Sequence, residues 1–167
     1  MKGVANGPVP LQPSKKPYLS TNYLKTLPGI MKLAQTVLDL VCFICVVAGP
    51  RPWYASVAWA EFVTLVSFIV TAVLLVMYLT HCIEVLHQIP WILVEALYCC
   101  MWVIFFFIAG VILSVGVTKK LPGVTAWGFA AFLGFVLMIL YAVDAYLKFV
   151  AWQRGDLAQP PSSGARR

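Results

Sequence analysis

Charge is what this sequence has least of. Of 167 residues, 62% are hydrophobic and only 11% are charged, whereas about a quarter are charged in a typical soluble domain. A water-soluble globule is excluded and a membrane protein is favoured. Other absences narrow the class further. The first 29 residues, MKGVANGPVPLQPSKKPYLSTNYLKTLPG, hold no apolar signal core and no small-residue cleavage site. No N-x-S/T acceptor occurs. No segment alternates as membrane-barrel strands do. No repeat relates the two halves, as it would in an inverted-repeat transporter. Cys42, Cys45, Cys82, Cys99 and Cys100 all fall outside the expected outer loops, so a disulfide-stapled ectodomain is excluded. No nucleophile–base pair or phosphate-cradling glycine loop is present. His81 and His87 flank Cys82 without the further ligand a metal needs, and read as a solvated loop. Neither an enzyme nor a cofactor or metal site is expected.

What the sequence does have is four long apolar runs, at about Ile30–Val47, Ala58–Thr80, Trp91–Val117 and Val124–Val150. Each approaches or exceeds the roughly 20 residues that cross about 30 Å of hydrocarbon as a helix. The connections between them are short, near AGPRPWYASV, HCIEVLHQIP and TKKLPG. Short connections make sequential helices antiparallel neighbours. The expected fold class is therefore all-α: an integral membrane four-helix antiparallel bundle over residues 30–152. A disordered N-terminal tail (1–29) and a short C-terminal tail (153–167) flank it. Trp53, Tyr54, Trp59, Trp91, Trp127 and Trp152 fall near run ends, as in an interfacial aromatic belt.

The net charge of +6 forms no nucleic-acid patch. Lys2, Lys15, Lys16, Lys25, Lys32, Lys148, Arg154, Arg166 and Arg167 lie on one side of the spans; Arg51, Lys119 and Lys120 lie on the other. The positive-inside rule then places both termini in the cytoplasm. Cys82, close to the cytoplasmic end of the second run, is a candidate for palmitoylation.

Acidic side chains inside the runs raise the functional question. There are four, one per helix: Asp39, Glu61, Glu95 and Asp144. A charge at mid-helix costs about 2.5–3.5 kcal/mol on insertion scales, so these groups are expected to face the bundle interior. Gln35, Asp39 and Cys42 share a helical face, as do Glu61, Thr64, Ser67 and Thr71. Lys148 lies one turn beyond Asp144 as an ion-pair partner. An intramembrane polar network of Gln35, Asp39, Glu61, Thr64, Glu95, Asp144 and Lys148 is therefore expected. Ala126, Ala130 and Gly134 form a small-residue strip that lets a neighbouring helix approach, within the bundle or from a lateral partner. Homo-oligomers are among the expected partners. A proton- or ion-conducting proteolipid is the competing reading. The acids are staggered in depth, however, which suits interhelical hydrogen bonding better than a relay. Val143–Tyr146–Lys148 and Arg51–Tyr54–Val57 fit the loose cholesterol patterns.

Taken in order, several strings resemble MARVEL-domain proteins, especially the chemokine-like-factor-like (CMTM) branch. YLKTLPGIMKLAQTVLDLVCFIC is similar to the entry into the first helix of that branch. WAEFV resembles its second-helix start, and IPW the lead into the third. AWGFAAFLGFVLMILYAVDAYLKFVAWQRG resembles the last helix, and its AWQR ending also resembles plasmolipin-type relatives. The likeness covers about residues 23 to 154. It implies a non-enzymatic multi-pass protein that organises membrane microdomains, vesicle trafficking or partner membrane proteins. The implied partners are membrane lipids, including cholesterol, and other integral membrane proteins. The implied locations are the plasma membrane and endosomal–Golgi vesicles.

Overall fold

The computed structural model describes residues 26–50, 55–80 and 91–154. Four helices carry almost all of them: α1 (Leu27–Ala48), α2 (Ala55–Leu79), α3 (Trp91–Val117) and α4 (Thr125–Gln153). Each is long and apolar enough to cross a membrane. Helix α3 coincides with the third apolar run; the others extend past their runs by one to three residues at one or both ends. At α1 the cause is local. Thr26 Oγ1 accepts a hydrogen bond from the Gly29 N–H at 3.3 Å, and Pro28 occupies the first turn. Proline is tolerated there because its missing N–H would have no partner in the helix anyway. The expected tail boundary therefore moves from residue 29 to residue 26. At the other end, α4 takes in residue 153. The remainder of both tails, Cys82, His81 and His87 lie outside the described residues.

Helix α1 packs on α2 and α4, and α3 packs on the same two, with the α3–α4 contact the most extensive. The four helices thus form a ring in chain order, with α1 opposite α3 and α2 opposite α4. The start of α1 and the end of α4 meet at one end of the bundle, the tail end. The α1–α2 and α3–α4 connections lie at the other, the hairpin end.

The surface follows from the solvent. Leu33, Val37, Ile44, Leu97, Ile104, Phe129, Phe132 and Ile139 all point outward. In water such a surface would drive aggregation; in hydrocarbon it costs nothing. The interior is divided in two. Its hairpin half is apolar and tightly closed by Val46, Val63, Phe106, Leu113, Trp127 and Leu137. Small residues make this closure possible. Gly134 on α4 faces the Gly110 backbone on α3, and a Cβ at Gly134 would stand 3.8 Å from the Gly110 Cα. Trp127 is wedged under Gly49 and Gly116, where a Cβ would lie 2.2 Å and 2.9 Å from its ring. Its indole N–H donates to Val46 O at 3.2 Å. The tail half of the interior is polar.

Candidate functional site

The polar half begins with α1. Lys32, Gln35 and Asp39 follow one another at three- and four-residue spacing and so share one helical face. All three are fully buried. The α1 stripe meets acids from the two helices whose ends lie at the same level, Glu95 near the start of α3 and Asp144 near the end of α4.

Two lysines and two carboxylates form a closed cluster. Lys32 Nζ stands 2.7 Å from Glu95 Oε1 and 3.4 Å from Asp144 Oδ2. Lys148 Nζ stands 3.0 Å from Glu95 Oε1 and 2.6 Å from Asp144 Oδ1. Each lysine touches both acids, and the four formal charges cancel. Neutral groups complete the shell. Gln35 Nε2 donates to Asp144 Oδ2 at 3.2 Å, and the Cys99 thiol donates to the same oxygen at 3.3 Å. The Tyr78 hydroxyl of α2 donates to Glu95 Oε2. The Tyr98 ring lies 5.5 Å from Lys32 Nζ, within cation–π range. Every helix therefore contributes a side chain. Buried charges are tolerable when paired and hydrogen-bonded in this way, and very costly when one partner is missing.

One step deeper, a chain of hydroxyls follows. Tyr141 of α4 donates to Asp39 Oδ2 at 2.8 Å. The Tyr141 oxygen also lies 2.7 Å from Thr71 Oγ1, which lies 2.8 Å from the Tyr98 hydroxyl. Asp39 Oδ1 and Gln35 Oε1 are buried without a hydrogen-bond partner among the described residues. Both diagonals of the ring are bridged by these polar contacts: α1 to α3 through Lys32–Glu95, and α2 to α4 through Thr71–Tyr141.

The expected network is thus partly assembled and partly redistributed. Gln35, Glu95, Asp144 and Lys148 come together in the cluster, and Asp39 sits beside it. Glu61 does not join. It is half-buried toward the hairpin end, and its carboxylate pairs with no described residue. Thr64 is buried but spends its hydroxyl on its own helix, donating to Ala60 O at 2.8 Å. A threonine that can bond the preceding turn needs no interhelical partner.

The small-residue strip lies largely inside the bundle. Ala130 and Gly134 are buried against neighbouring helices of the same chain, and Cys42 Sγ donates to Ala130 O at 3.5 Å. Only Ala126 keeps part of its surface. Two of its three residues are thus used in packing within the chain.

Sequence reasoning missed Lys32, which it counted as a cytoplasmic topology signal, and it missed Tyr78, Tyr98 and Tyr141. Lys148 is held in the cluster and is not offered outward with Val143 and Tyr146, as the cholesterol pattern would require. Among the described residues there is no group of three His, Cys, Asp or Glu side chains arranged to hold a metal.

Chemically, the cluster offers compensated charge and fixed hydrogen bonds. It lacks an exposed reactive group. Toward the hairpin end the interior becomes mainly apolar; its polar side chains there are Thr64, bonded to its own helix, and the half-buried Glu61.

Comparison with known proteins places this arrangement. Residues 23–147 match the family model MARVEL, described as a membrane-associating domain. The chain is 25% identical over 133 residues to the mouse (Mus musculus) CKLF-like MARVEL transmembrane domain-containing protein 8, covering 78% of this chain and 77% of the relative. It is 28% identical over 135 residues to cattle (Bos taurus) plasmolipin, covering 78% and 74%. It is 20% identical over 135 residues to the MARVEL domain-containing protein 1 of Xenopus laevis, covering 79% of each chain. No solved structure matches the chain.

Proposed function

Since the chain belongs to the MARVEL family of membrane-associating domains, we propose that it is a non-enzymatic multi-pass protein acting laterally in the bilayer. Its helix perimeter would organise membrane microdomains, vesicle trafficking or partner membrane proteins. The observation that carries this reading is the sorting of polarity. Lys32, Asp39, Glu95 and Asp144 are turned inward with Lys148 beside them, so the outward faces of four spans are left apolar. Such a perimeter meets lipid chains and other helices and little else. Both termini lie in the cytoplasm on this reading, and the plasma membrane and endosomal–Golgi vesicles are its sites. Cholesterol among the contacted lipids and self-association belong to the same proposal.

The test is site-specific photocrosslinking in cells, from Phe132 on the perimeter and from Leu137 in the interior. The expected result is capture of the same integral membrane neighbours from Phe132 alone, with their surface distribution changing when the chain is removed. A neighbour set whose distribution is indifferent to the chain defeats the reading.

Proton or cation conduction is the second reading, and it attaches to the unpartnered Asp39 Oδ1. The apolar plug of Val46, Phe106, Leu113, Trp127 and Leu137 weighs against it, because an ion path needs polar groups across the full thickness. Liposome flux that disappears with Asp39→Asn would reverse this ranking.

A further inference from the structure

The least extensive of the four helix contacts is α2–α3. At the tail end Tyr78–Glu95 pins the pair together. Beyond the Trp59–Phe105 ring contact at 5.3 Å, their hairpin ends leave a cavity of about 210 Å³ on the flank of the closed core. Its walls are Val57 of α2, Val111, Ile112 and Val115 of α3, and the Trp127 ring of α4, with Ser56 and Lys119 at the rim. An enclosed apolar cavity of about 150 Å³ accepts benzene, so this space takes a substantial length of hydrocarbon. Its position beside exposed Val111 and Val115 opens it toward the lipid.

Lys119 at the rim is charged, and it is exposed together with its neighbour Lys120 directly after α3. Lys120 adopts φ +50°, the left-handed conformation in which a helix ordinarily ends on glycine. A lysine there costs roughly 1–2 kcal/mol relative to glycine's freedom. Attraction between a cation and the α3 carboxyl-terminal dipole accounts for a lysine near this end. It does not account for placing one at the single position where glycine is cheapest.

We propose that this groove is a phospholipid site. One acyl chain of a glycerophospholipid lies against Val57, Val111, Val115 and Trp127, and its phosphate sits on Lys119 and Lys120. The phosphate diester is shared by zwitterionic and anionic glycerophospholipids, so the leaflet at the hairpin end supplies the ligand whichever kind it holds. The proposal rests on the membrane reading above only for the presence of lipid. Its test uses purified protein, so its failure and a failure of the lateral role are separately visible.

The experiment is photolabelling of the full chain in mild detergent with a phosphatidylcholine bearing a diazirine on one acyl chain, followed by peptide mapping. Labelling should concentrate on the segments containing Val57 and Val111–Val115. It should be lost in Val115→Trp, which fills the mouth of the groove, while the variant keeps the wild-type elution volume and melting temperature. Lys119→Glu with Lys120→Glu should lower groove labelling about ten-fold, as expected for losing a charge-assisted phosphate contact. A diacylglycerol with the same photoreactive chain, which lacks the phosphate, should label the groove as weakly as the double variant is labelled by phosphatidylcholine. Labelling spread evenly over the outward faces, or unchanged by Val115→Trp, overturns the site. Equal groove labelling by the diacylglycerol overturns the assignment of the phosphate to the lysines.

Discussion

Lys32 and Glu95 meet at 2.7 Å across the interior of the bundle, although their helices stand on opposite sides of the ring. A long lysine side chain spans a diagonal along which the helices make no extensive contact. Removing Lys32 leaves Lys148 to serve both Glu95 and Asp144, one buried negative charge in excess, and breaking a buried ion pair costs about 3–5 kcal/mol. Lys32→Met should therefore lower the melting temperature in mild detergent sharply. Adding Glu95→Gln to it should recover most of the loss. The double variant keeps the balanced Asp144–Lys148 pair and an acceptor for Tyr78. Absence of recovery would mean that the lysine matters for packing and its charge does not.

Tyr141 joins three helices through one oxygen, bonded to Asp39 and to Thr71. Tyr141→Phe leaves both without this partner and should cost about 1–3 kcal/mol, the price of an unmade buried hydrogen bond. Tyr98→Phe, at the end of the same chain, should cost less. Thermal unfolding of the two variants side by side checks the order.

Three glycines separate close approach from mere proximity. A Cβ at Gly49 would lie 2.2 Å from the Trp127 ring, so Gly49→Ala should destabilise by about 1–3 kcal/mol through overpacking. A Cβ at Gly134 meets its neighbours at 3.8–3.9 Å, so alanine fits there but leucine does not. At Gly128 the nearest atom is Val117 Cγ2 at 3.8 Å, and alanine should raise stability by up to about 1 kcal/mol through helix propensity. Unfolding midpoints for the four variants should rank accordingly. A harmless Gly134→Leu would mean that α3 and α4 are not in contact there.

Leu97 and Phe132 face outward. Replacing either with alanine should change stability by less than about 0.5 kcal/mol in detergent. A larger loss for either would place that residue in an internal contact.

The spans were legible because apolar runs of helical length have few other solutions. Their ends were less so. Pro28 reads as a breaker until Thr26 caps the turn that contains it. In the site, Asp144 and Lys148 announced themselves by four-residue spacing, and Gln35 by its place on the Asp39 face. Lys32 was hidden by its position. A lysine near the start of a span ordinarily snorkels to the headgroups, and only the depth of Glu95 and Asp144 turns it inward. The tyrosines were hidden by type, since tyrosine in an apolar run resembles a membrane-interface residue. A signal was present nonetheless: Tyr141, Asp144 and Lys148 fall at helical spacing on one face, as do Glu95 and Tyr98. Glu61 and Thr64 show the opposite error. Spacing alone gave them a common face, but it could not reveal whether another helix reaches them.

A cluster drawn from all four helices also has a timing. Lys32 is made early, and its ion-pair partners follow at positions 95 and 144. At a synthesis rate of roughly 5–20 residues per second, the 112 residues from Lys32 to Asp144 take about 6–22 s. Until Glu95 is made the lysine has neither ion-pair partner, and until the fourth span is made Asp144 and the Tyr141 hydroxyl that bonds Asp39 are missing. The nascent chain must either hold this span at the edge of the bilayer or lend it a temporary host. Translation that stops before the fourth span leaves Lys32 with Glu95 alone and Asp39 without Tyr141, buried polar groups by which cellular quality control could recognise an unfinished copy.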